Sequence, residues 1–292
     1  MPDSVELLID AKVTLGEGPF WDADAGVLYW LDILSGQVFI YDPATGRNKS
    51  VDVGEHVGTI VPRKDGGAIV ALQCGVATLD LDTGTFDVKC DPEKDLPQNR
   101  FNDGKCDPAG RFWAGTLSYS VDEGAGSLYC VDTDFSVKRM VENVTVSNGV
   151  VWSLDEKVMY YIDSPTRCVD AFDYDKLLGE ITNRRTVIRF DKRLGFPDGM
   201  TIDEEGMLWI AQWGSASVGR WDPAGGKMLA KIDVPAKEVT ACALGGENLD
   251  ELYITTAREH ISEEELKDYP LSGGLFRVKV DVKGVPLPKF GP

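Results

Sequence analysis

Six polar residues recur along the chain at nearly constant spacing: Glu17, Thr59, Asn102, Asn148, Asp198 and Thr240, separated by 42, 43, 46, 50 and 42 positions. Each stands just before a short apolar run, and four of the six are carboxylates or carboxamides. In three cases a glycine follows directly (Gly18, Gly149, Gly199), which permits close backbone approach or an unusual φ. Read singly, such dipeptides are ordinary turn formers. Read in register, they describe a ring. Two carboxylates converging in a narrow channel would repel each other and lose hydration; a cation between them removes both penalties. Donors that are all oxygen, without Cys or His, suit a hard or borderline divalent ion. By ligand type that is Ca²⁺, with Mg²⁺, Mn²⁺, Zn²⁺ or Fe²⁺ as alternatives. A site with three protein ligands leaves positions open for water and a substrate oxygen.

The elements that must hold this ring are strands. "GPFWDADAGVLYWLD", "IVPRKDGGAIVAL", "DGKCDPAGRFWAGT", "GVVWSLDEKVMYYID", "GMTIDEEGMLWIAQ" and "ACALGGENLDELYITT" each give an apolar strand, a turn of Asp, Gly or Glu, and a second apolar strand. A further strand pair follows most of them, around turns such as "YDPATG", "LDLDTG", "FDYDKLLGE" and "WDPAGG". Helical periodicity is confined to a short piece near "ISEEELKDY". About four strands per unit, six times over, predict an all-β fold: a six-bladed β-propeller with a metal site in its central channel. The units run from about Leu15 to Asp281. The leftover "VELLIDAKV" is expected to pair beside "GLFRVKVDV" in the last blade and remove a free sheet edge. Residues 1–292 are therefore expected to form one domain. Equivalent positions of the innermost strands converge on the axis, and that places Asp198 and its counterparts at the channel.

Composition excludes several classes. A net charge of −18 disfavours nucleic acid and anionic membrane surfaces as partners. Apolar runs are strand-sized, and the N-terminus carries acids where a signal peptide needs basic and then apolar residues. Six cysteines without CxxC spacing predict free thiols, and so a cytoplasmic protein. No G-x-S-x-G, P-loop or GxGxxG motif is present. The two histidines, His56 and His260, fall outside the ring and are expected on the surface or on loops, while Trp30, Trp113, Trp152, Trp209 and Trp213 sit on strands, with a core role expected for most of them.

"LGEGPFWD", "NRFNDGKCDPAGRFWAGT", "SNGVVWSLDEKVMYYIDS", "FPDGMTIDEEGMLWIA" and "GGENLDELYITTAR" closely resemble motifs of the senescence marker protein/regucalcin/gluconolactonase family, a group of six-bladed propellers. The resemblance implies metal ligation by Glu17, Asn148 and Asp198. Asn102 would lie beside the metal, Arg100 would contact substrate hydroxyls, and Asp198 would double as general base. It also implies metal-dependent hydrolysis of a small-molecule sugar lactone such as gluconolactone to the aldonic acid. The alternative within the same family is a calcium-binding regulator without enzymatic activity. One departure concerns the stretch after "AGT", where some animal members carry acids and this chain has Leu117-Ser118-Tyr119-Ser120. That stretch belongs to the family's substrate lid.

Overall fold

The apolar runs form strands that assemble into six four-stranded antiparallel sheets arranged as the blades of a propeller. The computed structural model describes residues 4–292, so the first three residues of the N-terminal stretch and of the predicted domain lie outside the described residues. Blades 1 to 5 span 16–52, 57–90, 99–144, 147–189 and 196–233. Blade 6 takes three strands from 238–279 and its fourth, Glu6–Ile9, from the N-terminus. That strand pairs antiparallel with Leu275–Lys279, as expected from the leftover segment. The pairing ties the two ends of the chain into one sheet and closes the ring.

Burial falls from the axis outward. The innermost strands are buried along nearly their whole length, with both faces covered by neighbouring blades. Their apolar residues lie mainly toward the ends beyond the ring residues, as in Val150, Val151 and Trp152, or Met200 and Ile202. The outermost strands, such as Lys227–Asp233, are mostly solvated and polar. Between a blade's third and fourth strands the turns repeat Asp-x-x-x-Gly. Asp42, Asp80, Asp175 and Asp222 each accept from the backbone N–H two residues on, at 2.8–2.9 Å. Gly46, Gly84, Gly179 and Gly226 then adopt φ of 65–75°, where a side chain would be strained.

The C-terminal tail was not assigned to any blade from sequence. It crosses the face opposite the ring residues and straps the blades together. Lys283 accepts from the Glu204 N–H and Phe290 from the Lys64 N–H. Lys289 reaches Asp22 and Asp24 at 2.8 Å each. The six cysteines are all free thiols. The one α-helix, Glu265–Asp268, falls within the predicted helical stretch. Among the described residues no helix is long and apolar enough to cross a membrane.

Candidate functional site in the central channel

The ring residues lie inside the first strands rather than before them, and the backbone explains why they face the axis. Each of the six innermost strands breaks register with its neighbour at or beside the ring position: Glu17/Phe20, Val57/Thr59, Phe101/Gly104, Asn148/Val150, Pro197/Met200 and Val239/Ala241. Such a bulge interrupts the alternation of the strand and re-aims a side chain. The glycines have a packing reason as well. A Cβ on Gly149 would stand 2.8 Å from the Asp198 carbonyl oxygen, and one on Gly199 would stand 2.5 Å from the Ala241 Cβ. Only glycine lets these inner strands approach so closely.

The ring divides into structural and open members. Thr59 donates to the Gly104 carbonyl at 2.9 Å, and Thr240 donates to the Gly16 carbonyl, each stitching one blade to the next. Glu17, Asn148 and Asp198 instead lie on the floor of a cavity of about 320 Å³, together with Asn102 and Arg100. All five are at least nine-tenths buried. Asn102 commits both amide hydrogens, to the Ser147 carbonyl at 2.8 Å and to Asn148 Oδ1 at 2.9 Å. Its own Oδ1 accepts from Arg100 at 2.8 Å. Asn148 Nδ2 donates to Ser164 Oγ at 2.8 Å, which in turn donates to the Pro197 carbonyl at 2.6 Å. This chain of bonds fixes the Asn148 amide with Oδ1 as its acceptor end.

The carboxylates are not satisfied in this way. Asp198 Oδ1 is fully buried and without a hydrogen-bond partner, and so is Asp103 Oδ2. Burial, then the charge on Asp103, pushes the Glu17 carboxyl up to about 8. Burial, followed by Glu17 and Asp103, raises Asp198 well above the usual carboxylate range. Arg100 and Lys105 offset part of this repulsion at Glu17. Carboxyls held above their usual pKa by burial and neighbouring acids, one of them with an oxygen unpartnered, are what a divalent cation would relieve. The donor set fits a hard cation: two carboxylates on Glu17 and Asp198, and one amide oxygen on Asn148. Among the described residues no three His, Cys, Asp or Glu side chains group as a metal cage. Three protein oxygens fall short of the roughly six or more that a hard cation takes, so the rest of its shell would be left to water or substrate.

Sequence reasoning missed four features of this site. Asp103 sits in the same bulge as Asn102, but one ring residue per blade had been counted. Trp213, one of the strand tryptophans to which no site role was given, is only partly buried and lines the cavity. His260 is on a loop as expected, yet it too lines the mouth, edge-on to Trp213 with ring centroids 6.5 Å apart. His56 meets the Tyr119 hydroxyl at 2.6 Å, and Tyr119 belongs to the stretch that departs from the animal pattern. The loops carrying these residues come from different blades, so no local signal joins them.

Fold and site together define a class: a six-bladed propeller with a strained carboxylate floor beneath a cavity open at one end. Residues 15–258 match the SMP-30/Gluconolactonase/LRE-like region, and the chain belongs to this family. Among its relatives is a protein of Bacillus subtilis (strain 168) provisionally named sugar lactone lactonase YvrE, 40% identical over 284 residues and 97% of each chain. Regucalcin of Xenopus laevis is 38% identical over 287 residues, 96% of each chain. The crystal structure of a calcium-binding protein, regucalcin, from Agrobacterium tumefaciens superimposes with a TM-score of 0.94 at 29% identity, covering 99% of this chain and 98% of that one.

Proposed function

We propose that the protein hydrolyses a sugar lactone to the open-chain hydroxy acid with a divalent cation bound by Glu17, Asn148 and Asp198. The observation that carries this reading is the unpartnered Oδ1 of Asp198 on the floor of the cavity, beside a second strained carboxylate. When bound, the cation supplies Lewis acidity toward the lactone carbonyl and its attacking water. This chain's residues do the rest. Asp198 takes the proton of the attacking water at Oδ1. Arg100, with only one nitrogen engaged by the protein, directs its remaining N–H groups at substrate oxygens. Asn102, whose amide hydrogens are both committed, acts by positioning Asn148. The relative named as a sugar lactone lactonase and the family's description as gluconolactonase-like support the reaction class. Six free thiols support a cytoplasmic setting.

The test is proton release from a panel of sugar δ- and γ-lactones, using chelator-stripped protein with Ca²⁺, Mg²⁺, Mn²⁺, Zn²⁺ or Fe²⁺ restored. Turnover that appears only with an added cation is expected. A second reading is favoured by the relatives named regucalcin and by the calcium-binding description of one of them: a cation-binding regulator. Its signature is thermal stabilisation by a cation with no hydrolysis of any lactone.

A further inference from the structure

The cavity has two zones of opposite character. Its floor is polar, but its wall and mouth present Leu34, Tyr119, Val121, Pro165, Phe196 and Trp213. Tyr119, Val121 and Phe196 are among the few large apolar side chains exposed anywhere on the described surface, at 43%, 48% and 37%. They come from two blades and line one opening.

This apolar collar is held at a conformational cost. Val121 has φ of 56° and is the one β-branched residue in the left-handed region among the described residues. For such a side chain this is a true outlier, and asparagine would sit there with less strain. A strained valine half exposed to water gains nothing in a core. Residues held this way cluster where they serve a ligand. His260 at the mouth, and Arg167 packed against Phe196, share the left-handed conformation. The Arg167 guanidinium lies 3.7 Å from the centroid of the Phe196 ring and keeps that ring in place.

Two hydroxyls beside the collar are already engaged. The Tyr119 hydroxyl is bonded to His56, and the Ser164 hydroxyl both accepts from Asn148 and donates to the Pro197 carbonyl. Glu259 and His260 are the polar groups left at the mouth, while the rest of the wall offers an alkyl or aryl group apolar surface to cover.

Resting on the lactonase reading, we propose that the site also takes lactones bearing an apolar substituent, with the ring carbonyl on the floor and the substituent in the collar. The reaction is ester hydrolysis. Water adds to the carbonyl carbon, the acyl C–O bond of the ring breaks, and the ring oxygen leaves as an alcohol. The carboxylic acid formed releases a proton.

The experiment measures kcat/KM for δ-gluconolactone and for δ-lactones with straight alkyl chains of increasing length, using protein loaded with the cation that supports turnover. Each added methylene should raise kcat/KM about fourfold until the chain passes the collar. Val121→Asn and Phe196→Ser should flatten that dependence, and Val121→Asn should at the same time raise the melting temperature. Leu177→Ser, which removes an 88% exposed side chain from an outer turn, should leave the slope as it is. Hydrolysis of gluconolactone without any rise along the alkyl series overturns the inference and spares the lactonase reading. A steep rise untouched by either collar substitution also overturns it. No hydrolysis of any lactone removes the lactonase reading and this inference with it.

Discussion

The two ends of a single inner strand treat the same residue type in opposite ways. On Phe196–Ile202, Asp198 near the start and Asp203 just past the end are both buried aspartates. Asp203 is saturated. Its Oδ2 accepts from Trp209 Nε1 at 2.9 Å and Arg220 Nε at 2.7 Å, and its Oδ1 from the backbone N–H groups of Glu205 and Met207 at 3.0 Å. Asp198 keeps an oxygen with no partner. Blade 3 repeats the contrast. Asp107 accepts from Trp113, Arg111 and Tyr174 at 2.7–3.0 Å, while Asp103, four residues earlier, leaves Oδ2 bare. Burial is nearly equal at both ends, so burial does not mark function here. Partnering separates them: a saturated carboxylate fastens a blade, whereas a carboxylate with a bare buried oxygen adds an unmet electrostatic cost to the fold.

The sharpest way to break this comparison is to neutralise one acid at each end. Asp198→Asn should lower kcat by about 10²–10⁴, the range for loss of a general base, while the cation-free protein melts no lower than the parent. Retained turnover would remove Asp198 from the chemistry. Asp203→Asn should do the reverse. It weakens a buried ion pair with Arg220 and should cost about 3–5 kcal/mol of stability in a denaturant titration, with turnover per folded molecule preserved. Equal destabilisation by the two substitutions would erase the distinction between the ends.

A smaller effect separates them by pH. Glu17 titrates near 8 in the folded cation-free protein, against an ordinary 4.5, because burial and Asp103 disfavour its charge. Folding therefore favours the protonated form. The associated stability is fully present below about 4.5 and is lost as pH rises toward about 8. Chelator-treated protein should accordingly lose melting temperature across that window relative to Glu17→Gln. Stabilisation by an added divalent cation should grow over the same window. Parallel melting curves for the two proteins would show that Glu17 is not strained by its surroundings.

Local physics made much of this legible in the sequence. Asp-x-x-x-Gly turns and apolar pairs of strands repeat because each blade solves the same packing problem, so their period gave the six blades and the closing N-terminal strand. The same period picked out Glu17, Asn102, Asn148 and Asp198, since equivalent positions on the inner strands must meet at the axis. What the period could not do was rank the ring members. Thr59 and Thr240 are as regular as Glu17, yet only the packed structure shows their hydroxyls taken up by neighbouring backbone carbonyls. Asp103 stayed hidden because it adjoins Asn102, and an unbroken strand would send successive side chains to opposite faces; the bulge at Phe101/Gly104 suspends that rule.

Sequence alone thus determined the repeat, the class of fold and the residue types offered to the channel, all of which depend on contacts within one blade or on strict periodicity. Tertiary structure decided which of those residues are left without partners and which apolar side chains crowd the mouth. Hydrogen-bond satisfaction and cavity shape depend on groups brought together from different blades, among them Ser164 with Pro197, and Phe196 with Arg167.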